Sequence, residues 1–223
     1  MRDVRGRQLL AVMLFGLASV WSPVTTVAQP PTLIGVAQLL SDAAASVDKF
    51  ADGLTKLVQL GDFLFPISDA RRAQARLIDI KARTVQLLLT NKGVVGELDN
   101  YIKTVRTEAL DKPRAGLMWQ PLTSRLGFLL TTVQELLRDV ERERSEFVAT
   151  PAYDEFVRAL RGRESLLSAL MGLEPPVSEV ELKQLEFVSF EYKRLIVALD
   201  KANNSLGSYI LAAEEKRRKP PKP

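Results

Sequence analysis

The sequence contains no cysteine and no histidine among its 223 residues. Without cysteine the chain cannot form a disulfide, a thiolate metal site, a cysteine nucleophile or a lipid-modified N-terminal cysteine. Without histidine it lacks the most frequent general base, the most frequent metal ligand and the side chain that titrates near neutral pH. These absences argue against most enzyme classes, and we expect no catalytic residue, no metal and no cofactor.

The remaining composition is that of an ordinary globular protein, with 46% hydrophobic and 26% charged residues. The formal net charge is +4, but the positive charge lies at the two ends of the chain. Residues 1–28 carry three arginines and one aspartate, residues 216–223 carry five cations, and residues 29–215 have 26 acidic against 23 basic residues. The body of the protein is therefore mildly acidic, and an electrostatic function would depend on the C-terminal end.

The first 28 residues have the pattern of a secretory signal peptide. Three arginines precede the apolar run LLAVMLFGLASVW at residues 9–21, and small residues before Gln29 fit cleavage after Ala28. An uncleaved membrane anchor is the alternative, because residues 9–28 carry no charge over a length close to the minimum for a membrane span. In both cases we expect an exported protein, periplasmic or secreted, and the lack of cysteine favours a bacterial envelope.

Prolines divide the rest of the chain into segments that each carry a helical pattern. No segment alternates with period two, so no strand is predicted. Apolar residues recur at alternating steps of three and four, which is the spacing of left-handed helix packing, and the stripes are wide enough for a bundle. The segments span residues 32–65, 67–112, 121–150, 151–174 and 177–219. We predict an all-α fold, an elongated antiparallel bundle of four to five helices over residues 29–215.

Several helix ends and interruptions are also predicted. Ser178 and Glu181 have the spacing of a capping box. Gly172 suits a left-handed stop at the end of the fourth helix. The sequence leaves open whether the second helix breaks or kinks at 93–96 and the fourth at Gly162, because glycine weakens a helix interior.

Trp119 is the first of two candidates for contact with a protein partner. It lies between Pro113 and Pro121, in a predicted loop, and an exposed apolar loop residue can form a contact surface. The interpretation that we favour is that Trp119 packs onto the end of the bundle.

The second candidate is the proline-rich tail of residues 216–223. A cationic segment of this kind is attracted to anionic lipid head groups, cell-wall polymers or an acidic protein face, although a frayed, solubilising end is an equal alternative. The tail has no aromatic residue for base stacking, which together with export argues against nucleic acid. Its cations are Lys216, Arg217, Arg218, Lys219 and Lys222.

Polar residues on the predicted seams have a structural and a functional interpretation. Asn91 and Asn203 fall on apolar seams, where a polar side chain can fix the register of helices. The alternative is a ligand cavity formed with Thr84, Ser189 and Tyr192, and we favour the structural interpretation. Phe187 and Phe190, close to Tyr192 in sequence, are interpreted as core residues.

Two patterns that resemble catalytic sites are weak. Ser46 and Lys49 match the short Ser-x-x-Lys pattern of acylating serine enzymes, but the other elements of those enzymes are absent. The acidic residues between 135 and 146 alternate with arginines, which is typical of a solvated helix face.

These features predict a non-enzymatic exported bundle that binds a protein partner, or acts as a scaffold, in the bacterial envelope. One alternative is a membrane-associated helical protein held by its N-terminal anchor or its basic tail. Another is a bundle that binds a small ligand. The sequence leaves the oligomeric state open.

Overall fold

The chain folds into five α-helices, as seen in a computed structural model that describes residues 31–60, 70–142 and 151–218. These ranges contain no strand, and they belong to one compact unit. The predicted all-α bundle is therefore confirmed, while the predicted signal segment lies outside the described residues. The helices are α1 (Leu33–Leu60), α2 (Ala70–Glu108), α3 (Lys112–Arg142), α4 (Pro151–Met171) and α5 (Glu179–Arg218).

Side-chain caps begin three of the helices. The Thr32 hydroxyl accepts a hydrogen bond from the Gly35 amide before α1, at 3.1 Å. The Asp111 carboxylate accepts one from the Arg114 amide before α3, also at 3.1 Å. The predicted capping box is present before α5, where the amide of Ser178 donates to Glu181 and the amide of Glu181 donates to the Ser178 hydroxyl. Each cap satisfies amides that the first helical turn leaves without partners.

The five helices close into a ring in the order α1, α5, α2, α3, α4, with α4 returning to α1. Within the described ranges each helix packs against two others and against no further helix. The buried faces follow the predicted seams, as in α1, where buried residues recur at steps of three and four. The interior of the ring is therefore lined by all five helices and is the core of the protein.

Helices α1 and α5 are the parallel pair of this ring. The Lys201 ammonium of α5 contacts Asp48 and Asp52 of α1 at 3.2 and 3.1 Å, and Thr55 lies 3.5 Å from Ser205, so residue numbers rise together. The other four neighbouring pairs are antiparallel. In a ring with an odd number of helices the direction cannot alternate at every step, so one pair must be parallel. Arg218 of α5 consequently lies at the end of the bundle opposite the start of α1.

Neither helix breaks at the positions that the sequence left open. Helix α2 is continuous through Gly93, where the Arg125 side chain of α3 crosses so closely that an added Cβ would lie 2.8 Å from its Nη1. From there Arg125 reaches Glu97 at 2.7 Å. Helix α4 is likewise continuous through Gly162. A side chain at 93 would therefore displace the flexible end of Arg125.

Two helix ends differ from the prediction. Gly172 follows α4, but its φ is not left-handed, and the predicted left-handed stop is wrong. It is instead a point of close approach, since an added Cβ would lie 3.1 Å from Pro31. The left-handed residue is Ala109 after α2, with φ 48°, and the Leu110 amide donates back to the Val105 carbonyl at 3.4 Å. This is a Schellman end built on alanine, whereas most use glycine.

Candidate functional site: the outer face of α5 and the interior of the ring

Trp119 is a core residue of α3 and not an exposed loop residue. The predicted loop is wrong, because α3 begins at Lys112 and continues through Pro121. The Trp119 ring is 4% exposed and packs edge-on against Tyr101 at 4.7 Å. Tyr101 donates to the carbonyl of Pro176 in the α4–α5 connection, at 2.8 Å, and burial, with a smaller effect of the Glu181 charge, raises its pKa to about 12. Trp119 thus packs onto the end of the bundle.

The basic tail lies largely outside the described residues. Arg218 is the last residue of α5 and is exposed. The side chains of Lys216 and Arg217 are not described, and Lys219 and Lys222 fall beyond the described ranges. The proposed role of the tail in binding anionic surfaces stays a prediction.

A polar cluster occupies the interior of the ring. Asn91 of α2 is fully buried, and its Oδ1 accepts hydrogen bonds from Arg163 of α4 at 2.8 Å and from Tyr192 of α5 at 2.5 Å. The Asn91 amide nitrogen donates to the Leu87 carbonyl one turn earlier. Because α2 and α4 are not neighbours in the ring, these side chains meet across its interior.

The Arg163 guanidinium in this cluster is incompletely satisfied. Arg163 is 2% exposed, and its Nε and Nη1 make no hydrogen bond. Burial lowers the pKa of Arg163, an effect partly opposed by the neighbouring Tyr192 hydroxyl. Burial likewise raises the pKa of Tyr192, so its hydroxyl is neutral at physiological pH. Arg163 was missed as a site residue in the sequence, although its three- and four-residue spacing from Leu160 and Leu166–Leu167 places it on the α4 seam.

The other polar seam residues do not join this cluster. Ser189 donates to Asp99 at 2.6 Å, on the side of the ring where α2 and α5 meet. Thr84 donates to the carbonyl of Lys81 in its own helix. Asn203 is half-buried, and its Oδ1 has no hydrogen-bond partner. Of the polar residues that the sequence suggested as the lining of a ligand cavity, the structure brings together Asn91 and Tyr192.

Helix α5 carries a second apolar stripe on its outer face. Five of the twelve large apolar side chains exposed in the described part of the chain belong to this helix. They form two adjacent rows, one of residues seven apart and one of residues seven and fourteen apart, which lie on one side of a helix. The prediction that Phe187 and Phe190 are core residues is wrong, since they are 53% and 56% exposed. The stripe consists of Val180, Phe187, Phe190, Val197 and Leu211.

A groove of about 450 Å³ runs beside Phe190 between α5 and α2. Its two carboxylates are paired: Asp99 with Lys193 at 2.8 Å, and Glu186 with Arg106 at 2.7 Å. Arg106 also pairs with Glu179 at 3.0 Å. Hydrogen bonds from Lys193 and Ser189 hold the pKa of Asp99 below its ordinary value, although burial, the largest single influence, acts in the opposite direction.

Two lysines near the exposed phenylalanines have no anionic partner among the described residues. Lys103 lines the groove with Phe190, and Lys183 lies one turn before Phe187 on α5. Both are exposed, so water solvates their charges in the free protein. The outer face of α5 therefore combines an apolar stripe with uncompensated positive charge, which is the arrangement that an acidic, amphipathic surface would complement.

The two weak catalytic patterns occupy separate places. Ser46 lines a groove of about 920 Å³ between α1 and α4, while Lys49 is exposed, and the two make no hydrogen bond to each other. In the charged stretch of α3, Asp139 pairs with Arg83 at 2.9 Å and Glu141 with Arg161 at 2.6 Å. The residues described include no group of three acidic side chains placed to hold a metal ion.

None of the helices described has both the length and the apolar character that a membrane span requires. Comparison with known proteins gives no relative: no family model, no curated protein and no solved structure matches this chain. The functional argument therefore depends on the residues and their geometry.

Proposed function

We propose that this chain is a non-enzymatic, exported helical-bundle protein of the bacterial envelope that binds an acidic, amphipathic segment of a partner protein along the outer face of α5. The observation that carries the proposal is the pair of exposed phenylalanines, Phe187 and Phe190, next to unpaired lysines. Export rests on the signal pattern of residues 1–28.

The apolar stripe supplies the driving force for binding. Transfer of a phenylalanine side chain from water to a buried site is favourable by roughly 1.5–3 kcal/mol. Phe187 and Phe190 lie on adjacent rows of the same face, so one helical or extended segment can cover both. Aromatic residues that are clustered and exposed are typical anchors of protein interfaces.

Unpaired lysines supply the preference for an acidic partner. Lys103 and Lys183 flank the phenylalanines, and within the described ranges neither has a carboxylate within ion-pair distance. A carboxylate from a partner would gain a charge interaction without breaking an existing one. Lys193 is held by Asp99, and Arg106 is shared by Glu186 and Glu179. With Lys103 and Lys183 this face has four cations against three carboxylates, so an acidic segment meets a small net positive charge.

A binding function also agrees with the residues that the chain lacks. The absence of histidine and cysteine removes the most frequent catalytic groups. The serine and lysine of the Ser-x-x-Lys pattern are not hydrogen-bonded to each other. These points favour an interaction protein over an enzyme.

The proposal is tested by affinity capture from solubilised envelopes with matched pairs of variants. The test variant is Phe187→Ala with Phe190→Ala, and the control is Leu117→Ala with Phe128→Ala, which removes two equally exposed apolar side chains from α3. We expect the wild type and the control to retain one partner that the test variant loses. Charge reversal by Lys103→Glu with Lys183→Glu should weaken the same complex, and added salt should weaken it in the wild type.

Other occupants of this face give different results. A second copy of the chain would appear as a dimer in analytical ultracentrifugation that the test variant abolishes. A lipid surface would appear as binding to vesicles with anionic lipid that the test variant reduces. Either result, or capture that the test and control variants reduce equally, contradicts the proposed protein partner.

A further inference from the structure

Arg163 carries a positive charge that no group of the described protein neutralises. It is buried inside the ring, and the groups that it contacts are neutral: the amide oxygen of Asn91, to which Nη2 donates, and the hydroxyl of Tyr192. No carboxylate lies within ion-pair distance of it in the part of the chain that the structure describes. Charged groups inside proteins are normally paired, because an isolated buried charge is highly unfavourable.

The arginine cannot avoid this situation by losing its proton. Guanidinium groups stay protonated in proteins because their pKa lies far above physiological pH. The neighbouring Tyr192 cannot supply the negative charge, since burial raises the pKa of its hydroxyl and keeps it neutral. Asn91 is neutral at every pH, and its oxygen is already shared between two donors.

The unused donors of Arg163 define what would complete the site. Nε and Nη1 together carry three of the five N–H groups of the guanidinium, and neither has an acceptor. A water molecule could accept such hydrogen bonds but would leave the charge uncompensated. A single negative charge balances the single positive one, and the burial of Arg163 requires a ligand small enough to lie within the ring.

We propose that the interior of the ring binds a small monovalent anion, a halide or the carboxylate of a small organic acid, against Arg163. The Nη1–H groups donate to the anion, while Asn91 fixes the guanidinium through Nη2. Nε–H lies on a different edge of the guanidinium and does not reach the same ion. This site is separate from the outer face of α5, so that the two proposals stand or fall independently.

Thermal unfolding of the purified protein in different sodium salts at constant ionic strength tests this site. Chloride, bromide and acetate are compared with gluconate, whose size excludes it from the ring. For the wild type we expect the Tm to rise with the concentration of a small anion, by about 5–10 °C at 100-fold above its Kd. A larger rise in Tm with halide than with acetate indicates a halide site, and a larger rise with acetate indicates a carboxylate site.

Two variants make the result specific. Arg163→Met removes the charge and should abolish the dependence on the anion, whereas the control Arg158→Met, an exposed arginine of the same helix, should keep it. Crystals grown in bromide should show an anomalous peak within hydrogen-bonding distance of the Arg163 guanidinium. A wild-type Tm that is the same in all four salts would overturn the proposal, whether Arg163→Met raises or lowers the Tm.

Discussion

The interior of the helix ring and the outer face of α5 both present cations without an anionic partner, in opposite environments. Arg163 is 2% exposed, whereas Lys103 and Lys183 are exposed to solvent. Water stabilises the charges of the lysines, so they cost the free protein little and remain available to an acidic partner. Within the ring the same lack of a partner is costly. The same kind of charge therefore leads to two different proposals, an internal anion at one place and an acidic protein partner at the other.

The largest effect is expected from breaking the interior cluster at its acceptor. Asn91→Leu removes the oxygen that accepts from both Arg163 and Tyr192 and leaves two buried donors unsatisfied. We predict a loss of about 3 kcal/mol in the free energy of unfolding, measured by urea denaturation. The triple variant with Arg163→Met and Tyr192→Phe replaces the whole cluster by apolar side chains and should recover most of this loss. A loss below about 1 kcal/mol for Asn91→Leu would show that the cluster is not under strain from its buried charge.

Removing a hydrogen bond to the Glu181 carboxylate at the surface should have an intermediate effect on the free energy of unfolding. Ser178→Ala removes the cap of α5 and is expected to cost about 1 kcal/mol. The Ser178 hydroxyl and the amides of Ser178 and Val177 hold the pKa of Glu181 below its ordinary value. A carboxylate with a lowered pKa in the folded state adds stability above its unfolded pKa and loses it as the pH falls through the folded one.

The pH dependence of the same variant checks the assignment. The wild type should lose stability as the pH falls below about 4.5, the unperturbed pKa of a glutamate. Ser178→Ala should show a smaller loss over that range, in urea denaturation at a series of pH values. Equal slopes for the two proteins would mean that the Ser178–Glu181 contact contributes nothing in solution.

Relieving the unfavourable backbone conformation at the end of α2 should stabilise the protein, by less than the preceding change destabilises it. Ala109 adopts φ 48°, a conformation that is unfavourable for a residue with a Cβ. Ala109→Gly should raise the free energy of unfolding by about 0.5–1 kcal/mol, as measured by thermal or urea denaturation. A destabilised variant would contradict the left-handed end of α2.

The smallest effect on folding is expected at the outer face of α5. Phe187→Ala and Phe190→Ala remove side chains that are more than half exposed, so the free energy of unfolding should change by less than about 0.5 kcal/mol. Loss of partner binding by these variants can then be attributed to the surface itself. A loss of more than 1 kcal/mol in thermal denaturation would place the rings in the core.

The sequence predicts the helices well because their apolar spacing is a local property of the chain. The same spacing could not show how the helices close into a ring. When a helix carries two apolar stripes, the ring arrangement decides which of the two stripes is buried. Helix α5 is such a case: Tyr192 lies inside as predicted, while Phe187 and Phe190 lie outside. The loop predicted around Trp119 fails for a related reason, since tertiary packing keeps α3 helical through Pro121.

The polar cluster in the interior of the ring also could not be predicted from the sequence without the fold. Asn91 was recognisable as a polar residue on an apolar seam, but its partner Arg163 lies 72 positions away and on a helix that is not its neighbour. The spacing of Arg163 within α4 is compatible with burial, yet a long cationic side chain at such a position can also extend to solvent. Only the ring arrangement decides between the two.

Photo-crosslinking in intact envelopes tests the binding surface most directly. A benzophenone amino acid in place of Phe190 puts the reactive group on the outer face of α5, and the same substitution for Phe128 provides an equally exposed control on α3. The account predicts a crosslinked adduct from position 190, joined to an acidic, amphipathic segment of one partner protein, and none from position 128. An adduct from position 128 alone, or the same adduct from both positions, would contradict it.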